Sequence, residues 1–214
     1  MSAPANFQER QVGYLLISSL LAYPNEALLD DLPITRALAK RLPTDVGGLL
    51  VDYLDQVART PLLELQSDYV STFDLKRRCC LYLSYYLNGD TRRRGMALWR
   101  FQETYKRAGW DVLGGELPDY LPVLLEFAAS GVDEESAALA LLHEHLQGIE
   151  VLRAALERFD APTQLVVAAL LRMLPQLNDE QLAAAQTLVA SGPPTETVGL
   201  EPFGQELLTI GSRP

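Results

Sequence analysis

The sequence predicts an all-α protein, a single-domain helical bundle of roughly eight to ten helices. Apolar residues recur at spacings of three and four along nearly the whole chain. Alternating apolar and polar runs bounded by turn pairs, which are typical of strands, are missing. The chain has 214 residues, of which 48% are apolar, and this is enough to bury one good core.

Capping residues and helix breakers predict where the helices begin and end. Asn6, with Glu9 three residues later, forms a capping-box pattern that starts a first helix ending near Ala22. Thr60 is predicted to cap another helix, because Pro61 is favoured at the first helical position. Three further helices are predicted in the first half: Thr44 to about Arg59, residues 76–87 with a stop at Asn88-Gly89, and Asp90 or Thr91 to Gly109. In the second half, one helix is predicted from Pro118 to about Ala129 and one long helix from Asp133 onwards. The last two are predicted to start at Pro162 and at Asn178, and the final one ends at Gly192.

The composition changes near the C-terminus. Residues 192–214 contain four of the 13 prolines and four of the 14 glycines. We therefore expect an all-helical domain over residues 1–192 and a flexible Pro/Gly-rich tail over residues 193–214, whose removal leaves the core folded. The tail's apolar residues that could pack on the core are Leu200, Phe203, Leu207 and Leu208.

Charge and cysteine content narrow the class of protein. The net charge of −10 argues against binding to nucleic acid and permits a cationic partner. Two adjacent cysteines do not form a disulfide framework, and we find no secretory signal pattern. The longest largely apolar run, residues 12–23, is shorter than the about 20 residues that span a bilayer. We expect a cytoplasmic protein without direct membrane insertion.

Candidate catalytic and metal-binding residues are few. His143 and His145 are two positions apart, so on a helix they point apart and are expected to be solvated. Cys79 and Cys80 also diverge on a helix; one is expected in the core, while the other could be a thiol made more reactive by the neighbouring arginines. Neither pair forms a chelating or catalytic pattern. The sequence therefore predicts no enzyme, no metal site and no bound cofactor.

The cationic residues are unevenly distributed. Nine of the 18 Lys and Arg residues lie between Lys76 and Arg107, a stretch that we call the basic block. It could be a solvated surface, or an ion-pair lattice with Asp74, Asp90 and Asp119. Asp74 is expected to accept hydrogen bonds from nearby backbone N–H groups or from an arginine of the trio 92–94. Tyrosines 82, 85 and 86 could form an aromatic platform, although a core-facing stripe of Tyr82, Tyr86 and Cys79 is the favoured interpretation.

The basic block lies in a segment that resembles a known family. Residues 69–110 read YVSTFDLKRRCCLYLSYYLNGDTRRRGMALWRFQETYKRAGW and resemble the NarJ family of nitrate reductase molybdenum cofactor assembly chaperones, also called the delta subunit. Residues 116–129 and 14–24 resemble further family segments. Tyr120 departs from the pattern Pro-Asp-His of the wider superfamily of redox-enzyme maturation proteins (TorD and DmsD types). The matching residues of the main segment are Tyr69, Phe73, Asp74, Lys76, Arg77, Arg78, Cys79, Tyr82, Tyr85, Gly89, Asp90, Thr91, Arg92, Gly95, Met96, Ala97 and Leu98.

The resemblance implies a cytoplasmic, all-helical chaperone without catalytic activity or a cofactor of its own. It implies binding to the catalytic (alpha) subunit of respiratory nitrate reductase, through its N-terminal segment among other contacts, until the molybdenum cofactor is inserted. With such a client, the part of the basic block outside the ion-pair lattice is expected to face a second, acidic surface of that subunit. The alternative is a carrier that itself binds the molybdopterin cofactor or a nucleotide through the arginine cluster. The candidate client-binding residues are Tyr69, Phe73, Asp74, Lys76, Arg77, Arg78, Tyr82, Tyr86, Arg92, Pro118, Asp119 and Tyr120.

Overall fold

The all-α prediction is confirmed. A computed structural model describes residues 6–112 and 114–174, and this part contains eleven α-helices. The predicted helix from Asn178, its end at Gly192 and the tail over residues 193–214 lie outside the described residues. The helices are α1 Phe7–Leu21, α2 Glu26–Asp30, α3 Leu32–Ala39, α4 Thr44–Val57, α5 Leu62–Tyr69, α6 Leu83–Asn88, α7 Arg92–Arg107, α8 Leu121–Ser130, α9 Val132–Glu144, α10 Leu146–Arg158 and α11 Gln164–Met173.

The core lies between α1, α4, α8, α10 and α11. Helix α1 packs on α8, and α11 packs on both α4 and α10. The side chains of Tyr14, Leu54 and Phe127 are fully buried there. Within the described part, no helix combines the length and apolar character needed to cross a membrane.

Local capping signals are confirmed at α1 and wrong at α5. The Asn6 side chain accepts a hydrogen bond from the Glu9 backbone N–H, and the Glu9 side chain accepts one from the Asn6 N–H, so the capping box is complete. Thr60 does not cap α5. Its hydroxyl instead donates to the Gln56 carbonyl at the end of α4, and Pro61 takes the position before the helix.

The predicted helix over residues 76–87 is wrong for residues 76–82 and confirmed only from Leu83 onwards. After α5 the chain forms a wide π-turn, Val70–Asp74, and a short 3₁₀ turn, Arg77–Cys79, before α6 begins at Leu83. The break occurs because Tyr82 is extended and pairs with Tyr120 in an isolated antiparallel bridge. This bridge also corrects the predicted helix start at Pro118, because α8 begins only after Tyr120.

The predicted long helix from Asp133 is two helices. Glycine 131 takes the cap position of α9, and α9 ends at Glu144. His145 turns out of helical geometry, and α10 then begins at Leu146. The stop predicted at Gly89 is confirmed, because its φ of 56° lies in the left-handed region that glycine tolerates best.

Candidate functional site

Five aromatic side chains form a continuous row, which we call the aromatic row. The ring centroids of Tyr82 and Tyr120 lie 5.3 Å apart. The Tyr120 hydroxyl lies 3.0 Å from the Tyr69 hydroxyl, and the Tyr69 ring lies 4.8 Å from the Phe73 ring. Tyr23 meets Tyr69 edge-on at 5.3 Å. Residues from four separate stretches of sequence are therefore brought to one surface.

Backbone pairing places the two central tyrosines of the row. The Leu83 N–H donates to the Asp119 carbonyl at 3.0 Å, and the Leu121 N–H donates to the Leu81 carbonyl at 2.9 Å. These bonds flank Tyr82 and Tyr120, so their rings emerge side by side. The pairing explains why the chain is extended at Tyr82 and not helical.

The row ends at a cavity of about 210 Å³ that is lined by both apolar and polar side chains. Tyr69 and Phe73 belong to both the row and the cavity wall. Lys76 stands at the rim, with its ammonium nitrogen 4.6 Å from the centre of the Phe159 ring. The other lining residues come from the end of α1 and its loop, from α2, α4 and α5, and from the turn between α10 and α11. They include Leu20, Pro24, Leu28, Tyr53, Val57, Leu65, Asp68, Asp160, Ala161 and Pro162.

Asp119 is a buried carboxylate beneath the row. Its side chain is 0% exposed and accepts hydrogen bonds from the Ser84 backbone N–H at 3.1 Å and the Ser84 hydroxyl at 2.5 Å. The Arg94 guanidinium lies 3.9 Å from it and 3.5 Å from Asp90. Asp119 therefore anchors the first turn of α6 from inside the protein.

Asp74 does not have the bonding that its sequence context suggested. Its side chain is exposed, and within the described residues it accepts no hydrogen bond. The wide turn that contains Phe73 directs Asp74 to solvent. The ion-pair lattice forms at Asp90 and Asp119 and leaves Asp74 out.

Tyr82 and Tyr120 remain neutral hydroxyl groups. Burial, and then the neighbouring Glu116 carboxylate, raise the pKa of Tyr82 well above its ordinary value, and the Tyr82 hydroxyl donates to Glu116 at 3.0 Å. Burial, and then the hydrogen bond to Tyr69, likewise raise the pKa of Tyr120. Tyr120 therefore supplies a ring and a hydrogen-bonding tip and carries no charge near neutral pH.

Two candidate residues serve the scaffold. Tyr86 is fully buried, and its hydroxyl donates to the carbonyls of Cys80 at 2.7 Å and Arg78 at 3.1 Å, so it is not accessible to a client in this structure. The Pro118 carbonyl accepts a hydrogen bond from Tyr105 at 2.8 Å. Both residues hold the segment that carries the aromatic row.

The basic block does not converge on one point. Arg100 pairs with Glu144 at 2.6 Å, and Arg107 pairs with Glu103 at 3.0 Å. Arg77 and Arg92 are exposed, while Arg78 is half-buried beside α10. The basic block is therefore partly a solvated surface with exposed ion pairs and partly an internal ion-pair lattice at Arg94. Each of the two interpretations holds for some of its residues.

The surroundings of Cys79 and Cys80 keep both thiols protonated. Cys79 is fully buried and Cys80 half-buried, which confirms that one of them lies in the core. Burial raises the pKa of both thiols to about 11, and this effect outweighs the charge of nearby cations. Both therefore stay protonated near neutral pH, and the hypothesis of an activated thiol is wrong.

The expectation of two solvated histidines is wrong for one of them. His143 is exposed, but His145 is buried at the break between α9 and α10, with Nδ1 2.9 Å from the Leu141 carbonyl oxygen. Burial lowers the pKa of His145 and keeps the imidazole neutral. Among the residues that the structure describes, no cluster of His, Cys, Asp or Glu could hold a metal ion.

Several lining residues had no signal in the sequence. Tyr53 in α4 and Phe159 at the end of α10 both line the cavity, yet neither stands out from its sequence context. Asp160 follows Phe159 with a φ of 53°, a value unusual outside glycine. The dipeptide Ala161-Pro162 after it marks a turn, and this was the one available hint.

Comparison with known proteins connects this site to a family. The family described as "Nitrate reductase delta subunit" matches residues 39–162. The chain is 32% identical over 170 residues to the probable nitrate reductase molybdenum cofactor assembly chaperone NarJ of Bacillus subtilis, covering 79% of this chain and 89% of that protein. It is 31% identical over 153 residues to the nitrate reductase molybdenum cofactor assembly chaperone NarJ of Escherichia coli K12, covering 66% and 65% respectively.

A longer relative and a solved structure are also similar. The nitrate reductase-like protein NarX of Mycobacterium tuberculosis is 38% identical over 159 residues, which cover 72% of this chain but 23% of NarX. A putative redox enzyme maturation protein from Archaeoglobus fulgidus shares the fold, with a TM-score of 0.50 and 22% identity over 89% of this chain and 96% of that one. The family match spans more than half of this chain, and the Bacillus relative is covered over most of its length. This protein therefore belongs to the nitrate reductase delta subunit family, as the resemblance of residues 69–110 predicted.

Proposed function

We propose that this protein is a chaperone that binds the catalytic subunit of respiratory nitrate reductase and keeps it competent for molybdenum cofactor insertion. The names of the Bacillus and Escherichia relatives support this function. We propose further that it acts in the cytoplasm, has no catalytic activity of its own and is absent from the finished enzyme. The protonated thiols of Cys79 and Cys80 agree with the lack of catalysis.

The cavity beside the aromatic row is the proposed site for the N-terminal segment of the client. The observation that carries this assignment is the shared position of Tyr69 and Phe73, which belong to the cavity wall and to the row that extends from it. A client helix could lie along the row and insert an apolar anchor into the cavity. Tyr120 and Tyr82 would then contact the next turns of that helix.

The size of the cavity favours a side chain over a cofactor. Its volume of about 210 Å³ lies below the ~300–1,000 Å³ typical of small-molecule sites. The alternative function, a cofactor or nucleotide carrier, would need arginines that converge on phosphate groups. Arg94 is engaged by Asp90 and Asp119 instead, and Lys76 lies over Phe159. The peptide assignment is therefore the better supported one.

Charges at the cavity indicate what the client segment carries. The carboxylates of Asp68 and Asp160 line the cavity together with apolar groups. They suit a client anchor that is followed by a basic side chain. Asp74 and Arg77 lie within two residues of Lys76 and are exposed, so they are available as outer contacts.

A calorimetric titration tests the assignment. The ligand is a peptide with the first ~30 residues of the catalytic subunit, the length of about eight helical turns. Phe159→Ala removes a lining ring that is 44% exposed, so the fold should persist while the peptide binds more weakly by over ~1 kcal/mol. Ile34→Ala, which removes an apolar side chain exposed on α3, is the matched control and should leave binding unchanged.

Two outcomes would contradict the proposal at different levels. Equal peptide affinity for wild type and Phe159→Ala, with intact melting curves, would remove the cavity from the site. If neither the peptide nor the full-length catalytic subunit binds the wild-type protein, the chaperone function itself fails. A pull-down from cells that grow anaerobically on nitrate, with the captured protein identified by mass, tests the identity of the client independently.

A further inference from the structure

Helix α7 has two apolar faces, and only one of them packs on the bundle. Its inner face buries Phe101 and Tyr105, which are at most 1% exposed. On the opposite side Met96 is 66% exposed and Trp99 54% exposed. Residues three apart are neighbours on a helix surface, so these two side chains form one apolar patch. Large apolar side chains paired on a solvent face are typical of interaction sites.

A glycine lies beside this patch without a reason in the chain's own fold. Gly95 is inside α7 and four residues before Trp99, so the two positions are adjacent on the helix surface. Its φ is not in the left-handed region, and a Cβ built there meets nothing within 4 Å. Glycine weakens a helix interior relative to alanine. A glycine at an open helical position is explained if the surface of another protein approaches the backbone closely there.

Cationic residues outnumber carboxylates on the helix that carries the patch. Helix α7 has six cationic residues and one carboxylate, whereas the whole chain has a net charge of −10. Arg93 and Lys106 are exposed on α7. Arg100 and Arg107, which are both partly neutralised by ion pairs, lie along the groove between α7 and α9. A partner that presents carboxylates around an apolar side chain would complement this surface.

We propose that the surface formed by Gly95, Met96 and Trp99, with the cations around them, binds an acidic segment of the client's catalytic subunit outside its N-terminal region. This rests on the proposed function and adds a second contact surface to it. A second copy of the chain fits less well, because paired α7 helices would bring like charges together. An anionic membrane would meet the net negative charge of the whole protein and only two apolar side chains.

The test uses the apo catalytic subunit from which the first ~30 residues have been removed, so that the proposed cavity ligand is absent. Wild-type protein should bind it, with an affinity that falls as salt rises. Trp99→Asp should weaken this binding at least about ten-fold, as expected for loss of a central aromatic anchor. Ile34→Asp, an equally exposed apolar site on α3, is the control and should bind as the wild type does.

Gly95→Ala is a second test, because it should change stability and binding in opposite directions. A residue with only a structural role would change both in the same direction. The methyl group should raise the melting temperature, because alanine favours the helix. It should weaken binding of the truncated subunit, because it occupies open space where the partner would approach the backbone. Greater stability together with weaker binding is the expected result. Titration of the N-terminal peptide into each variant reports whether the cavity site is still intact.

Several results would overturn the inference. If the N-terminal peptide binds but the truncated subunit does not, the second surface is wrong while the proposed function stands. If the wild type and Trp99→Asp bind the truncated subunit with equal affinity, the second surface is likewise wrong and the proposed function again stands. Trp99-dependent binding to vesicles of phosphatidylglycerol, or Trp99-dependent self-association in sedimentation, would replace the acidic segment by a membrane or by a second copy. If neither the peptide nor the full-length subunit binds, the proposed function and this inference fail together.

Discussion

The hydroxyl groups of Tyr69 and Tyr120 share a hydrogen bond of 3.0 Å across 51 positions of sequence. Tyr69 lines the cavity, whereas Tyr120 lies outside it in the segment that pairs with Tyr82. Tyr120 therefore fixes the position of a cavity wall without being part of that wall. A histidine at this position would offer a ring nitrogen in place of the hydroxyl and could gain a proton, which the neutral tyrosine cannot do near neutral pH.

We predict that Tyr120→Phe lowers the affinity for the peptide while lowering the stability of the protein only modestly. The ring remains to stack on Tyr82, but Tyr69 loses its hydrogen-bond partner, so stability should fall by about 0.5–1.5 kcal/mol. The loosened Tyr69 should reduce peptide affinity in calorimetry. Tyr23→Phe is the control, because the Tyr23 ring touches Tyr69 while its hydroxyl makes no hydrogen bond to the described residues. Identical peptide affinity in both variants would separate Tyr120 from the site.

The same substitution should destabilise the protein at Asp119 and have little effect at Asp74. Asp119→Ala leaves the Ser84 N–H and hydroxyl without their buried acceptor, so we expect a loss of about 1–3 kcal/mol in the free energy of unfolding. Asp74→Ala removes an exposed charge and should change it by less than about 0.5 kcal/mol. Urea denaturation of both variants measures this. A larger loss for Asp74→Ala than for Asp119→Ala would show that the buried network is assigned to the wrong carboxylate.

Sequence reasoning succeeded where the determinants are local. The capping box of Asn6 and Glu9 needs only four adjacent residues, and the stop at Gly89 needs one residue with positive φ. Both lie where they were predicted. The all-α class likewise follows from spacing along individual helices.

It failed where distant residues override local preference. Residues 76–87 contain good helix formers, yet the bonds from Leu83 to Asp119 and from Leu121 to Leu81 impose an extended stretch. The aromatic residues 69 and 73 were identified through the family resemblance. Tyr53 and Phe159 were not, because a cavity wall is formed by the packing of separate helices and leaves no periodic signal in any one of them.

Two glycines should give opposite results when replaced by alanine. Gly148 in α10 lies against the buried Tyr86, and an added Cβ would come within 2.9 Å of the Tyr86 Cβ. Because that contact atom belongs to a fully buried side chain, Gly148→Ala should cost about 1–3 kcal/mol. Gly95→Ala meets nothing and should stabilise α7 by about 0.5–1 kcal/mol. Chemical denaturation compares the two, and stabilisation by Gly148→Ala would contradict the packing of α10 on Tyr86.

The ion pair between Arg10 and Glu135 should make stability depend on pH. Arg10 on α1 donates from Nε at 2.6 Å and from Nη2 at 2.7 Å to the two carboxylate oxygens of Glu135 on α9, and Glu135 is buried. These hydrogen bonds lower the pKa of Glu135 below its ordinary value of 4.5. A carboxyl group with a lowered folded-state pKa contributes stability above its unfolded-state pKa and loses that contribution as the pH falls through the folded-state value.

We therefore predict that Glu135→Gln lowers the free energy of unfolding by about 1–3 kcal/mol at pH 7. The difference from the wild type should shrink progressively below about pH 4.5, because the wild-type carboxyl group then takes up the proton that ends its ion pair. Asp133→Asn is the control: it removes a charge from the same first turn of α9, and Asp133 forms no ion pair with an arginine within residues 6–112 and 114–174. Denaturation curves from about pH 7 to pH 3 measure both. A gap between the wild type and Glu135→Gln that stays constant over this range would show that the side chain acts by shape and hydrogen bonding alone, and that its charge contributes nothing to the contact between α1 and α9.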